Sequence, residues 1–268
     1  MGQMIALALA ASTLAYTFSQ PLTYRMEAKF DGFLPIFGGN EGKVDVTLTV
    51  RVTPQKHEKA GEQKVESEII DAKILFNDAP LPLGVDSVTS YFPKTQVTLS
   101  GAGKTLATTA PDLSPPVRLP GLDIQRFADL VYVPIEFLST AVEKGANWKY
   151  ERQFNGQPLT TEATIEDLSE TEAVIAVKVN QKTQDYEDEG LAPMKSAEGA
   201  TSEVTTELTG SGKATFDRSL GVFRTTQVDL TAAGSAKDLK SGEVTQRKLK
   251  IGFRVVLVAP EKKRAPGG

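Results

Sequence analysis

The chain has no cysteine and one histidine, His57, and these two scarcities close off much of enzyme chemistry. Without cysteine there is no disulfide, no thiolate nucleophile, no acylated lipoprotein cysteine and no sulfur-ligated metal. One histidine cannot build a histidine-rich zinc site. A Ser/His/Asp hydrolase would have to rest on His57, which sits beside Lys56, Glu58 and Lys59 with no G-x-S-x-G elbow in the chain. A basic excess is also missing. With 30 Lys and Arg against 34 Asp and Glu, the net charge is −4 and the pI about 5.3, so phosphate-dominated nucleic-acid binding lacks its driving force. The N-terminal apolar run, Met4 to Ala15, falls short of the roughly 20 residues that a membrane-spanning helix needs.

That same run is the first positive signal. MIALALAASTLA ends in Thr13-Leu14-Ala15, the kind of small-residue site a signal peptidase cuts. Cleavage after Ala15 would start the mature chain at Tyr16 and make the protein secreted or periplasmic, with no transmembrane segment in the mature chain. The usual positive flank is absent from Met1-Gly2-Gln3, and the alternative is a buried first strand or helix.

At 268 residues, 40% apolar and 24% charged, the chain can fold around a sizeable core as one large β domain or two smaller ones. Tyr24, Met26, Ala28 and Phe30 alternate with polar residues, and Val44, Val46, Leu48, Val50 and Val52 do so without a break, the period of a strand with one buried face. Between them, Asp31 to Gly42 reads as a loop. Further strands are expected at Val65–Phe76, Thr95–Thr109, Trp148–Phe154, Leu159–Leu168, Ala173–Gln181, Ser202–Phe216, Val222–Ala233 and Val244–Val258, with a long acidic loop from Asn180 to Ser202.

Arg118 to Tyr150 divides these two runs. Within it Asp123 can cap a short helix whose apolar positions Ile124, Phe127, Ala128 and Val131 have helical spacing. Val131 to Phe137 is either an edge strand interrupted by Pro134 or leads into a second helix beginning at Pro134; the extended form is favoured. The two runs resemble each other. TYRMEAKFDG (Thr23–Gly32) aligns with NWKYERQFNG (Asn147–Gly156), TLTVRV (Thr47–Val52) with VIAVKV (Val174–Val179), and TQVTLSGAG (Thr95–Gly103) with TQVDLTAAG (Thr226–Gly234). Duplication would give two related meanders that pack together or join in one curved sheet. The insertion from Leu122 to Gly145 has no counterpart and is a natural lid, pocket wall or core plug.

A strand-like Y-x-F region, a central G-x-x-W (Gly145 to Trp148), A-V-I-A-V-K (Ala173–Lys178) and G-x-G-K-A-T-F-D-R-S-L-G-V (Gly210–Val222) resemble a broad set of uncharacterised secreted bacterial β-rich proteins. The resemblance implies an all-β extracytoplasmic protein and supplies no catalytic residues. In layout the chain is loosely similar to the periplasmic lipoprotein carriers, whose curved sheet wraps an apolar cavity closed by helices, an analogy at the level of fold.

The chemical motifs are weak. Gly101-Ala102-Gly103-Lys104-Thr105 imitates the end of a P-loop, but Thr98 stands where the first glycine belongs; Gly210 to Lys213 lacks the Ser/Thr after lysine, so both read as turns. Asp185 to Gly190 spaces carboxylates as calcium loops do, yet Ser196 stands where the bidentate Glu belongs. No pair of acids is marked out for glycoside hydrolysis. Phe127, Tyr132, Phe137 and Trp148 are the better lead, since they cluster in the connecting segment and can line an apolar pocket, although core packing is the ordinary role of such residues.

The sequence therefore predicts an all-β, antiparallel protein of two related meanders forming a curved sheet, open barrel or sandwich with a short central helix. Residues 1–15 form a signal peptide, 16–117 the first meander, 118–146 the connecting segment, 147–259 the second meander and 260–268 a disordered tail. The expected function is non-catalytic binding of an apolar small molecule or a partner protein in the cell envelope, with no cofactor, metal or nucleic acid. A purely structural envelope protein is the alternative, and an acid-pair hydrolase of polysaccharide a more distant one.

Overall fold

The structure, a computed structural model, describes residues 13–34, 38–57, 59–110, 126–154, 157–191, 193–194 and 196–258. Its strands are β1 (Leu22–Leu34), β2 (Asn40–Gln55), β3 (Glu62–Phe76), β4 (Ala79–Pro80), β5 (Thr95–Ser100), β6 (Thr105–Thr109), β7 (Asn147–Phe154), β8 (Gln157–Leu168), β9 (Glu172–Glu187), β10 (Pro193–Met194), β11 (Ser202–Asp217), β12 (Val222–Asp238) and β13 (Val244–Val258). Two short helices accompany them, α1 (Val85–Tyr91) and α2 (Phe127–Val131). All thirteen strands belong to one curved, unclosed antiparallel sheet in the order β6-β5-β3-β2-β1-β13-β12-β11-β9-β8-β7, with β4 on β3 and β10 on β9.

The order follows from the route of the chain. It begins mid-sheet with β1, meanders out to the β6 edge, leaves the sheet, re-enters at the opposite edge with β7, and meanders back until β13 lies against β1. Two expected meanders thus become one continuous surface. Inward residues alternate along every long strand: Tyr24, Met26, Ala28 and Phe30 in β1 are buried, as are Val46, Leu48, Val50 and Val52 in β2 and Ala173, Ile175 and Val177 in β9. Where the alternation slips, a β-bulge explains it. Ile70 is an extra residue between the pairs Val50↔Ile69 and Thr49↔Asp71, and Glu166 between Ile165↔Ile175 and Asp167↔Val174.

A sheet of this kind leaves its inner face bare unless something fills it. Two pieces of non-strand chain do so. The N-terminal segment runs along it with Leu14, Tyr16 and Phe18 buried, and the turns at one end of the sheet hold it: Tyr16 N donates to Gly101 O (2.8 Å) and Thr17 N to Gly221 O (2.8 Å). Gln63 closes the grip, its Oε1 accepting from Phe18 N at 2.6 Å and its Nε2 donating to Tyr16 O. The fit at Gly103 (φ +85°) admits no side chain, because a Cβ there would lie 2.3 Å from the Tyr16 ring. The second piece is the connecting segment, in which Phe127, Val131, Tyr132, Val133, Ile135 and Phe137 are all buried. Burial of each large apolar side chain is worth about 1.5–3 kcal/mol, so the segment is held in the trough chiefly by apolar contact.

Several expectations change. Asp31–Gly42 is not a long loop, since β1 continues to Leu34 and β2 starts at Asn40. Thr95–Thr109 is a hairpin of β5 and β6 turning at Gly101–Gly103. The first part of the expected Asn180–Ser202 loop is strand: β9 runs to Glu187, whose carboxylate meets Arg247 at 2.6 Å instead of joining a calcium loop. Gly210–Lys213 lies inside β11 and is no turn. Helix α1 was unforeseen. In the connecting segment α2 begins at Phe127, while Asp123 and Ile124 lie outside the described residues; beyond α2, Val133 to Leu138 is neither ladder strand nor helix. The sequence alignment of the two runs is not strand for strand, for it sets β1 against β7 but β2 against β9 and β5 against β12.

Two predictions follow from how the inner face is filled. Tyr16 Oη donates to Ile135 O at 2.7 Å in the core, so Tyr16→Phe strands a buried carbonyl and should cost about 1–3 kcal/mol in urea unfolding. In the β11–β12 turn, Asp217 accepts from Ser219 N (2.8 Å), Leu220 N (2.9 Å) and Arg224 Nε (2.6 Å). Burial acts to raise its carboxyl pKa, but these donors outweigh burial and hold it below the ordinary value. A lowered folded pKa contributes stability that is complete above the unfolded value, near 4, and is lost as pH falls through the folded one. Asp217→Ala should therefore cost about 2 kcal/mol near neutrality, and the gap from the parent should shrink as pH drops below about 4.

Candidate apolar-ligand site

The connecting segment does not fill the whole trough. Beside it a cavity of about 150 Å³ remains, walled by inward side chains of β1, β13, β12, β11, β9, β8 and β7 and by Asp129, Leu130, Pro134 and Ile135 of the segment. Register explains the gap. One cross-strand row reads Phe30, Ile251, Leu230, Gly210, Val179, Thr161, and the next reads Ala28, Phe253, Val228, Gly212, Val177, Ala163. Both rows lose their side chain at β11. Glycine is required there: an added Cβ would lie 2.5 Å from Asp229 O at Gly210 and 2.0 Å from Gln227 O at Gly212, both backbone atoms of β12.

Against this apolar wall stands a compact polar cluster. Arg152, on the inward phase of β7 and 6% exposed, donates from Nε to Glu136 Oε1 (2.9 Å) and from Nη1 to Pro134 O (3.3 Å), with Asp129 Oδ1 3.6 Å from Nη1. Arg126 pairs with the other oxygen of Asp129, and Thr105 Oγ1 approaches Oδ1 at 3.5 Å. The Tyr150 ring lies under the Arg152 guanidinium at 5.2 Å. Burial pushes the Asp129 carboxyl pKa up despite the opposing pull of Arg152 and Arg126. For Arg152, burial works to lower the pKa, but Tyr150, Asp129 and Glu136 outweigh it and keep the guanidinium charged. The cluster holds two cations and two carboxylates. Several polar atoms here stay unspent: Arg152 Nη2 and the hydroxyl of Thr226, both on residues of the cavity wall, have no hydrogen-bond partner among the described residues, nor do Arg126 Nε and Asp129 Oδ2, which Arg126 meets only as an ion pair.

No family model matches the chain, and no curated protein matches it. Among solved structures it is similar to lipovitellin, in a structure concerned with lipid–protein interactions in that protein. The identity is 12% and the TM-score 0.50, and the match covers 94% of this chain but 26% of the lipovitellin chain. At that identity the likeness is one of fold.

The four aromatics singled out from sequence lie in the core around the connecting segment, and none of them lines the cavity. Phe127 packs on Phe92 (5.9 Å between centroids) and Tyr132 on Phe18 (5.9 Å). Phe137 sits among Tyr16, Phe216 and Phe223 at 4.9–5.8 Å. Trp148 spends its indole N–H on Glu136 O (2.7 Å). Arg152 escaped the sequence reading although a signal was there. Trp148, Tyr150, Arg152 and Phe154 share one phase of β7, and an arginine among inward aromatics is a buried cation in need of partners. Asp129 and Glu136 carry no comparable signal, because the segment holding them is only partly periodic.

Arg152→Met should cost about 3–5 kcal/mol, since it takes the shared cation away from buried Asp129 and half-buried Glu136. Chemical denaturation checks the size of the loss, and a cost under about 1 kcal/mol would mean that the cluster does not hold the connecting segment.

Proposed function

We propose that this protein is a non-catalytic β-scaffold that binds an apolar ligand between its curved sheet and the segment crossing it. The observation that carries the reading is the cavity itself, whose walls are almost wholly aliphatic and aromatic. The fold likeness to lipovitellin, described for its lipid–protein interactions, supports a lipid as the ligand class. Asp129, which lines the cavity, and Glu136 are both engaged by Arg152, which favours binding over acid–base chemistry. His57, paired with Glu62 at 3.0 Å in the exposed β2–β3 turn, is far better suited to holding that turn than to catalysis. The site of action is extracytoplasmic, secreted or periplasmic, on the strength of the Met4–Ala15 run. Leu14, 2% exposed in the core, sets a limit on that run: processing before Leu14 keeps the packed side chain, and processing after Ala15 removes it.

The test is binding of Nile red, a neutral dye that brightens in apolar surroundings. Saturable binding is expected for the parent. Val179→Phe, which fills the cavity from β9, should weaken it at least roughly tenfold while leaving the fold intact by circular dichroism. Absence of saturable binding by the parent would overturn the reading.

A further inference from the structure

We infer that the site selects a ligand with an uncharged oxygen acceptor at the head of its apolar chain, such as an acyl ester, over the corresponding free acid. The inference rests on the apolar-ligand reading and narrows it. Three observations on the cavity wall carry it. First, three cavity-lining residues have a buried polar atom with no hydrogen-bond partner among the described residues: Arg152 Nη2 and Thr226 Oγ1, on side chains 6% and 3% exposed, can donate, while Asp129 Oδ2 is already met by Arg126 as an ion pair. Buried donors are nearly always satisfied, and an unsatisfied one on a guanidinium is among the costliest, so a site that keeps one calls for an oxygen brought from outside.

Second, the charge there is already balanced. Arg152 and Arg126 face Asp129 and Glu136, two against two. A fatty-acid carboxylate would be a third anion in a low-dielectric site, beside an aspartate whose charge burial already disfavours. An ester carbonyl accepts the same hydrogen bonds and adds no charge. Third, the volume is small. About 150 Å³ is the size class of cavity that takes a benzene-sized group, so the enclosed part of the ligand is a short stretch of chain next to its head. A longer chain would lie along the half-buried inward side chains of Leu208, Leu230 and Phe253, which belong to the same apolar wall.

Thr226 makes the idea testable without dismantling the cluster. Its hydroxyl has no hydrogen-bond partner among the described residues, so Thr226→Val keeps the shape of the side chain and removes one head-group partner. The experiment is displacement of Nile red at neutral pH by methyl hexanoate, by hexanoate and by heptane, on the parent and on Thr226→Val, with the thermal midpoint of each recorded. Methyl hexanoate is expected to displace the dye at roughly tenfold lower concentration than hexanoate. In Thr226→Val the preference for methyl hexanoate over heptane should fall by roughly 3–10-fold, with no drop in the midpoint. Equal or better displacement by hexanoate would overturn the inference in favour of anion binding. Equal displacement by heptane and the ester, or an unchanged ester preference in Thr226→Val, would overturn it while the apolar-ligand reading stands. Failure of the parent to bind Nile red at all would remove both.

Discussion

Everything in this structure depends on burying a stretch of irregular backbone. Residues 133–138 cross the apolar trough without the internal hydrogen bonds of a helix or the ladder of a strand, and each carbonyl left unpaired there would cost about 1–3 kcal/mol. Side chains brought from elsewhere pair three of them. Tyr16 Oη reaches Ile135 O, Tyr150 Oη (3.3 Å) and Arg152 Nη1 reach Pro134 O, and Trp148 Nε1 reaches Glu136 O. The inward residues of β7 are thus selected less as apolar filling than as donors with apolar bodies, which is the property that suits Trp and Tyr to such positions.

This constraint also explains the topology. A meander that ran from one edge of the sheet to the other in chain order would have no reason to send a segment through its own interior. Here the chain starts in the middle, so after reaching β6 it must travel to the far edge to begin β7, and the short way is across the inner face. The crossing ties the two edges together: Thr105 of β6 approaches Asp129, Ala102 O of the β5–β6 turn accepts from Phe137 N at 2.8 Å, and β7 binds residues 134–136. An open sheet is thereby spanned by a strut instead of being closed by a β6–β7 ladder.

Sequence periodicity was sufficient for the strands because each long strand has one buried face, and alternation is the direct imprint of that face. The ends were misjudged where polar residues continue a ladder in solvent, as in Asn180–Glu187, or where a tight turn is flanked by apolar residues, as around Phe33 and Leu34. The role of residues 126–145 as a plug and pocket wall was legible from the want of a counterpart in the other run. The polar cluster was not, since Asp129, Glu136 and Arg152 come from an irregular segment and a strand joined only by the fold. Aromatic content pointed to Phe127, Tyr132, Phe137 and Trp148, and it measures packing demand. A cavity arises where side chains are missing, and its trace in the sequence was the pair Gly210 and Gly212 on the inward phase of β11.

Those glycines connect the sheet to the site. Because β12 lies too close to β11 to admit a Cβ at either position, the inner face lacks two side chains there, and the plug does not descend to replace them. It cannot do so without dragging Pro134 and Glu136 away from Tyr150, Arg152 and Trp148. The hollow is therefore the residue of two requirements that conflict, close approach of β11 to β12 and satisfaction of the plug's carbonyls, and it opens beside Arg152, a cation that keeps an unused donor.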